Sequence, residues 1–91
     1  MRTPTISIIT VNFNNNEGLK KTLRSIEVQS YTSYEHIIID ADSNDGSQET
    51  IKKYSEKNTH LTYWVSEKDK GIYDGMNKGI RQAKGEYLYF L

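Results

Sequence analysis

The stretch Ile37-Ile38-Ile39-Asp40-Ala41-Asp42-Ser43-Asn44-Asp45-Gly46-Ser47 decides the fold. Successive side chains of a strand point to opposite faces, so three isoleucines in a row leave no face for water. An uninterrupted β-branched run of this kind suits a strand covered on both sides, as in a parallel sheet. The run then breaks into Asp, Ser, Asn and Gly, the residues of turns and helix caps.

Outward from that stretch, apolar β-rich runs recur at Ile6–Val11, Glu35–Ile39, Leu61–Val65 and Tyr87–Leu91. Their spacing, about 25–30 residues, is the scale of a βαβ unit. Helical periodicity fills the gaps. Leu19, Leu23 and Ile26 mark one face of a helix from about Glu17 to Gln29. Ser43, Asp45 and Ser47 are candidate caps for a second helix that carries Ile51 and Tyr54 on one face. Ile72, Met76, Ile80 and Ala83 repeat the pattern, with Gly85 as the expected C′ residue. The order β-α-β-α-β-α-β predicts an α/β, Rossmann-like, mostly parallel sheet with flanking helices and right-handed crossovers.

Composition excludes several functions. Lys+Arg and Asp+Glu both number 12, so no cationic surplus exists to neutralise a nucleic acid or hold an anionic membrane. The absence of cysteine rules out disulfides and thiolate metal sites within the chain. Met1 to Thr5 carries no signal-like apolar core, and no apolar run has bilayer length. The simplest expected address is cytoplasmic, with the inner face of the membrane reached only through regions outside these residues. Seven Tyr, two Phe and one Trp supply bulky packing groups despite a mean hydropathy of −0.75, which places the chain outside the disordered class.

In open parallel sheets, ligands bind at the carboxyl ends of the strands. Here those ends run into Asn12-Phe13-Asn14-Asn15-Asn16, into Asp40 through Ser47, and into Ser66-Glu67-Lys68-Asp69-Lys70-Gly71. No G-x-G-x-x-G follows the first strand and no P-loop is present, which disfavours a dinucleotide site and an NTPase. The nucleophile elbow of a Ser-His-Asp hydrolase is missing too. What remains is a carboxylate, Asp40, ending a central strand, beside an aromatic, Phe13, ending the first. That pair suits a nucleobase: a ring to stack on and an acceptor for an imide N–H.

Plainer readings stand beside this one. Phe13 could equally be core. Asp42, Ser43, Asp45, Ser47 and the run Asn14 to Asn16 fit turns regardless of ligand. Tyr63 and Trp64 fit packing, and Glu17, Lys20, Lys21 and Arg24 fit a solvated helix face. His36 and His60 lack partners at metal-ligand spacing and read as ordinary strand-edge histidines.

Taken together, Ser7 to Asn14, Ile37 to Ser47 and Gly85-Glu86-Tyr87-Leu88-Tyr89-Phe90-Leu91 resemble the opening of the family 2 glycosyltransferases with a GT-A fold. The segment Ser66 to Gly79 is similar to a subgroup found in bacterial surface-polysaccharide synthesis. The resemblance spans nearly the whole chain. It implies the amino-terminal half of a GT-A fold and inverting sugar transfer from a nucleotide-sugar donor, uridine-linked, to a saccharide or lipid-linked acceptor. It also implies that Val11, Asn12, Phe13 and Asn14 line the base pocket and that Asp40, with Asp42 nearby, serves the base. Asp69, Lys70 and Gly71, with Asp74 and Asn77, would lie along the ribose, diphosphate or donor sugar.

Two positions depart from the pattern: Ala41 replaces a second acid, and Met76 replaces an arginine. The latter leaves Lys70 as the expected diphosphate cation. The resemblance further implies a D-x-D-type segment beyond Leu91 that holds Mn²⁺ or Mg²⁺, with the catalytic base later still. Residues 1–91 are thus expected to be the nucleotide-sugar-binding part of the domain, truncated before that segment, inactive alone and without a metal site. The buried-looking strand Tyr87–Leu91 would then be a raw edge prone to self-association. The rival classes are a non-catalytic nucleotide-binding or regulatory α/β module and a receiver-like interaction domain. The receiver reading wants acids after the first strand, where asparagines stand.

Overall fold

The computed structural model describes residues 4–91. Strands β1 (Ile6–Asn12), β2 (Tyr34–Asp40), β3 (Leu61–Ser66) and β4 (Tyr87–Phe90) alternate with helices α1 (Asn16–Glu27), α2 (Ser47–Lys57) and α3 (Ile72–Gln82). All pairings are parallel and the sheet order is β3-β2-β1-β4. The chain walks outward from β1 through β2 to β3, then returns to place β4 on the free side of β1. That reversal is the switch point beside which ligands collect in such sheets.

All seven residues of β2 are buried, as the triple isoleucine requires. Its alternation feeds two cores. Ile38 packs with Leu19 and Leu23 of α1 and with Ile51 and Tyr54 of α2. On the other face Ile37 and Ile39 pack with Ile9, flanked by Val11, Tyr63, Val65 and Ala83. Trp64 packs against the first of these clusters, so Tyr63 and Trp64 are packing residues as expected.

Four expectations need correction. Of Ile72, Met76, Ile80 and Ala83, only Ala83 packs against the Ile9, Ile37 and Ile39 cluster, so the four do not form the sheet-facing stripe of α3. Its buried residues are Gly75 and Gly79. A Cβ on Gly79 would lie 2.5 Å from Ile9 Cγ2, so the helix lies against β1 through its bare backbone. Side chains that would be core on a more distant helix are thereby turned to its flank, and Ile72 and Ile80 stay exposed.

Gly85 is not a helix C′ residue either, because α3 ends at Gln82 with Ala83 as its C-cap. Glycine is required there by crowding: a Cβ would sit 2.7 Å from Ser7 N and 2.8 Å from Ile6 C. The α2 cap is Gly46, at φ 97, rather than a side-chain hydroxyl. Asp45 acts in the same turn, accepting from Ser47 N and Ser47 Oγ at 3.1 and 2.6 Å.

His36 is no strand-edge histidine. It is fully buried under α2, with Nε2 2.8 Å from Thr10 Oγ1 and Nδ1 3.1 Å from Tyr54 Oη. Burial pushes its pKa from 6.5 down to about 4, so the imidazole is neutral at pH 7. Glu35 is also buried, accepting from Ser7 Oγ, Lys84 N and Thr62 Oγ1. It ties the turn between α3 and β4 to the sheet. Sequence reasoning gave it no role, since an acid inside a strand looks solvent-facing until its partners are known.

β4 forms the edge next to β1, with Tyr87, Leu88, Tyr89, Phe90 and Leu91 all exposed. Among the described residues no helix is long and apolar enough to cross a membrane.

Candidate functional site

The carboxyl ends of β1, β2 and β3 open onto a pocket of about 590 Å³. Val11 and Phe13 come from β1 and its turn, Ala41 and Asp42 from the turn after β2. Lys68, Asp69, Gly71 and Ile72 come from the loop into α3. Phe13 is 64% exposed, which decides against its reading as core. An aromatic ring held in water beside an aliphatic wall is a surface for a flat, partly apolar ligand.

Asp40, expected to bond a base directly, does not line the pocket, and its hydrogen bonds in this structure go to neighbouring residues. It is fully buried. Its Oδ1 accepts from Asn12 Nδ2 at 2.8 Å and Ser43 Oγ at 2.7 Å. Its Oδ2 accepts from Ser43 N at 2.9 Å and Ser66 Oγ at 2.7 Å. Four donors occupy the roughly four acceptor positions of a carboxylate, so none is left for a ligand. Asn12, also buried, is spent on the same group and does not line the pocket. The carboxylate that reaches the pocket after β2 is Asp42, exposed and at φ 57. Positive φ is tolerated best by Gly, Asn and Asp, and it turns the chain so that Ser43 faces inward and Asp42 outward.

The two turns are laced together. Asn14, at φ 45, donates its N–H to Ser43 Oγ at 2.8 Å and accepts from Asn44 N through Oδ1 at 2.8 Å. Asn16 N donates to Asp45 Oδ2 at 2.9 Å. The Ser47 hydroxyl bond, with further backbone donors, holds the Asp45 carboxyl below its usual range. Asn14 therefore braces the pocket from outside its wall.

In the third loop, Asp69 Oδ1 accepts from Gly71 N at 3.0 Å, and Gly71 adopts φ 116. Asp74 accepts from Lys70 N at 3.0 Å. Lys70, Asp74 and Asn77 are not among the residues that line this pocket, and Lys68 is the lysine on its wall. The sequence carried no signal for choosing between two lysines in one aperiodic loop. Ser43 and Ser66, which fix Asp40, were likewise hidden as ordinary turn and strand-end residues.

No group of three or more potential ligands is found among the described residues, so the side chains present do not form a metal centre. A cleft of about 640 Å³ opens at the amino-terminal edge of the sheet, near Glu35, His60 and Lys84. Glu35 is already engaged by three donors there. At the carboxyl-end pocket the wall carries the side chains of Asp42 and Lys68.

An all-parallel sheet with its crevice at the strand carboxyl ends defines an α/β domain of the kind that takes its ligand at those ends. Comparison with known proteins places it more narrowly. Residues 7–91 match Glycosyl transferase family 2, and the chain belongs to that family. An uncharacterized glycosyltransferase of Mycobacterium tuberculosis is 43% identical over 89 residues, which are 97% of this chain and 33% of that protein. The chain thus spans about a third of the length of the curated relatives it matches.

Among solved structures, the mannosyltransferase PcManGT of Pyrobaculum calidifontis, in complex with GDP-Man and Mn²⁺, superposes with a TM-score of 0.82. Its identity is 24%, over 97% of this chain and 27% of that one. S. aureus TarS 1–349 in complex with UDP-GlcNAc gives a TM-score of 0.82 at 22% identity, over 96% and 26% of the two chains. The fold is that of the amino-terminal part of a GT-A transferase.

Proposed function

We propose that this chain forms the donor-nucleotide half of an inverting glycosyltransferase of surface-polysaccharide synthesis. It would take a sugar from a uridine-linked donor to a saccharide or lipid-linked acceptor, at the cytoplasmic face of the membrane. The observation that carries the reading is the pocket where Phe13, Asp42 and Lys68 converge from three separate strand ends. In this reading the base lies on Phe13, and Asp42 takes the hydrogen-bonding role expected of Asp40. Lys68 faces the diphosphate, while Lys70, Asp74 and Asn77 lie outward along the start of α3. The GDP-Man and UDP-GlcNAc held by the two structural neighbours support a nucleotide-sugar donor and leave the base as our own assignment.

A divalent cation on the diphosphate belongs to the proposal for the whole protein. The described residues do not hold it, and no step here runs through it. What these residues supply is binding and orientation of the donor. Residues 1–91 by themselves are accordingly proposed to be inactive in transfer.

Calorimetry with UDP and GDP on the intact protein tests the reading. Phe13→Ala should weaken binding about tenfold, since stacking a base on an aromatic ring contributes about 1–3 kcal/mol. Unchanged affinity in that variant would remove the base from Phe13. A protein that binds nucleotide diphosphates but transfers no sugar would favour the non-catalytic module.

A further inference from the structure

We propose that Asp40 and Ser43 are positioning residues of the donor pocket, holding its Phe13 and Asp42 walls against each other without touching the ligand. The inference rests on the donor reading above and assigns to the buried acid a role different from direct base recognition.

Three strand ends build the pocket, and no continuous secondary structure fixes the loops that leave them. The buried carboxylate does so instead. It draws Asn12 from β1, both polar groups of Ser43 from the turn after β2, and Ser66 from β3. Ser43 passes the constraint on: its Oγ donates to Asp40 and accepts the Asn14 N–H at 2.8 Å. Asn14 directly follows Phe13, and Asp42 directly precedes Ser43. The ring and the exposed carboxylate are therefore each one peptide bond from the same hydroxyl-centred link. Asn14 and Asp42, on either side of this link, sit at positive φ, where the backbone holds its shape only while neighbouring contacts enforce it. No buried side-chain polar atom among the described residues lacks a partner, so the network is complete without a ligand. A network finished before the ligand arrives is preorganisation, which lowers the cost of ordering the site on binding.

The test uses the intact protein, calorimetry with UDP and with GDP, and amide hydrogen exchange. Ser43→Ala removes the Oγ link and keeps the Ser43 N–Asp40 bond, so it is the variant expected to remain folded. It should weaken both nucleotides, on the order of five- to tenfold, the equivalent of about one lost hydrogen bond. Exchange at Asn14 should quicken, while exchange across Ile37–Ile39 stays as in the unaltered protein. Asp40→Asn should likewise weaken both nucleotides while Phe13 and Asp42 are present, and should weaken them no further once both of those side chains are replaced by alanine, because the buried acid acts only through them. Ser43→Ala added to the Phe13→Ala, Asp42→Ala double variant should bind no more weakly than that double variant, since the serine acts by placing those two side chains.

Several results would overturn the inference. They are unchanged affinity in Ser43→Ala, and a further loss when Ser43→Ala or Asp40→Asn is added to the Phe13→Ala, Asp42→Ala background. Binding of neither nucleotide by the unaltered protein is a different failure: it overturns the donor reading itself, and the positioning role with it.

Discussion

Lowering the pH should destabilise this fold through one residue, His36. The imidazole lies fully buried between Thr10 Oγ1 and Tyr54 Oη, with the Tyr54 ring edge-on at 5.6 Å between centroids. Both partners are neutral hydroxyls, and burial holds the Tyr54 phenol protonated well beyond its usual range. No carboxylate is hydrogen-bonded to the ring to stabilise a charge on it. The folded pKa is therefore depressed, from 6.5 to about 4.

Above pH 6.5 the ring is neutral whether the chain is folded or unfolded, and its contribution to stability is complete. Between pH 6.5 and 4 the unfolded chain binds a proton that the folded one refuses, so stability falls as pH falls. The slope approaches 1.36 kcal/mol per pH unit, and the loss across the window is on the order of 3 kcal/mol. Against a typical domain stability of about 5–15 kcal/mol, that is a large share.

Urea unfolding of the intact protein from pH 8 to pH 4, beside His36→Gln, measures it. Glutamine can keep a bond to Thr10 and cannot titrate. The unaltered protein should lose stability through the window more steeply than the variant. Parallel curves, or an NMR titration that finds His36 protonating near 6.5 in the folded state, would refute the reasoning.

Other outcomes follow from the same structure. Gly85→Ala should destabilise by about 1–3 kcal/mol, because the added Cβ meets the backbone of Ile6 and Ser7, which cannot swing aside; an unchanged urea midpoint would contradict this. Residues 1–91 alone should bind Mn²⁺ or Mg²⁺ only weakly in the absence of nucleotide, and a low-micromolar dissociation constant by calorimetry would place a metal site within them. The same 91 residues in isolation should self-associate through the exposed β4 edge from Tyr87 to Leu91. Light scattering that shows a stable monomer at about 100 µM, within the range where unpaired edges aggregate, would count against that reading.

The local periodicities determined the elements. Three isoleucines demanded a doubly covered strand, the steps of three and four among Leu19, Leu23 and Ile26 demanded a helix, and the alternation of the two implied a parallel sheet. These signals are read from neighbours along the chain, which is why they survive without tertiary information. Even the crevice at the strand ends followed, since parallel strands collect their carboxyl termini on one side.

Where each side chain lies there was decided only in three dimensions. Asp40 and Asp42 stand two residues apart and look interchangeable as base acceptors. A positive φ at Asp42 and donors from Asn12 and Ser66, each more than twenty residues away, bury one and expose the other. Gly75 and Gly79 turned the apolar stripe of α3 aside, because the distance between a helix and a sheet depends on what is missing from both surfaces. His36 and Glu35 became interior groups only once Tyr54, Thr10, Ser7 and Lys84 were brought around them. A polar residue can be buried only where distant partners satisfy it, and its own neighbours in sequence carry no record of them.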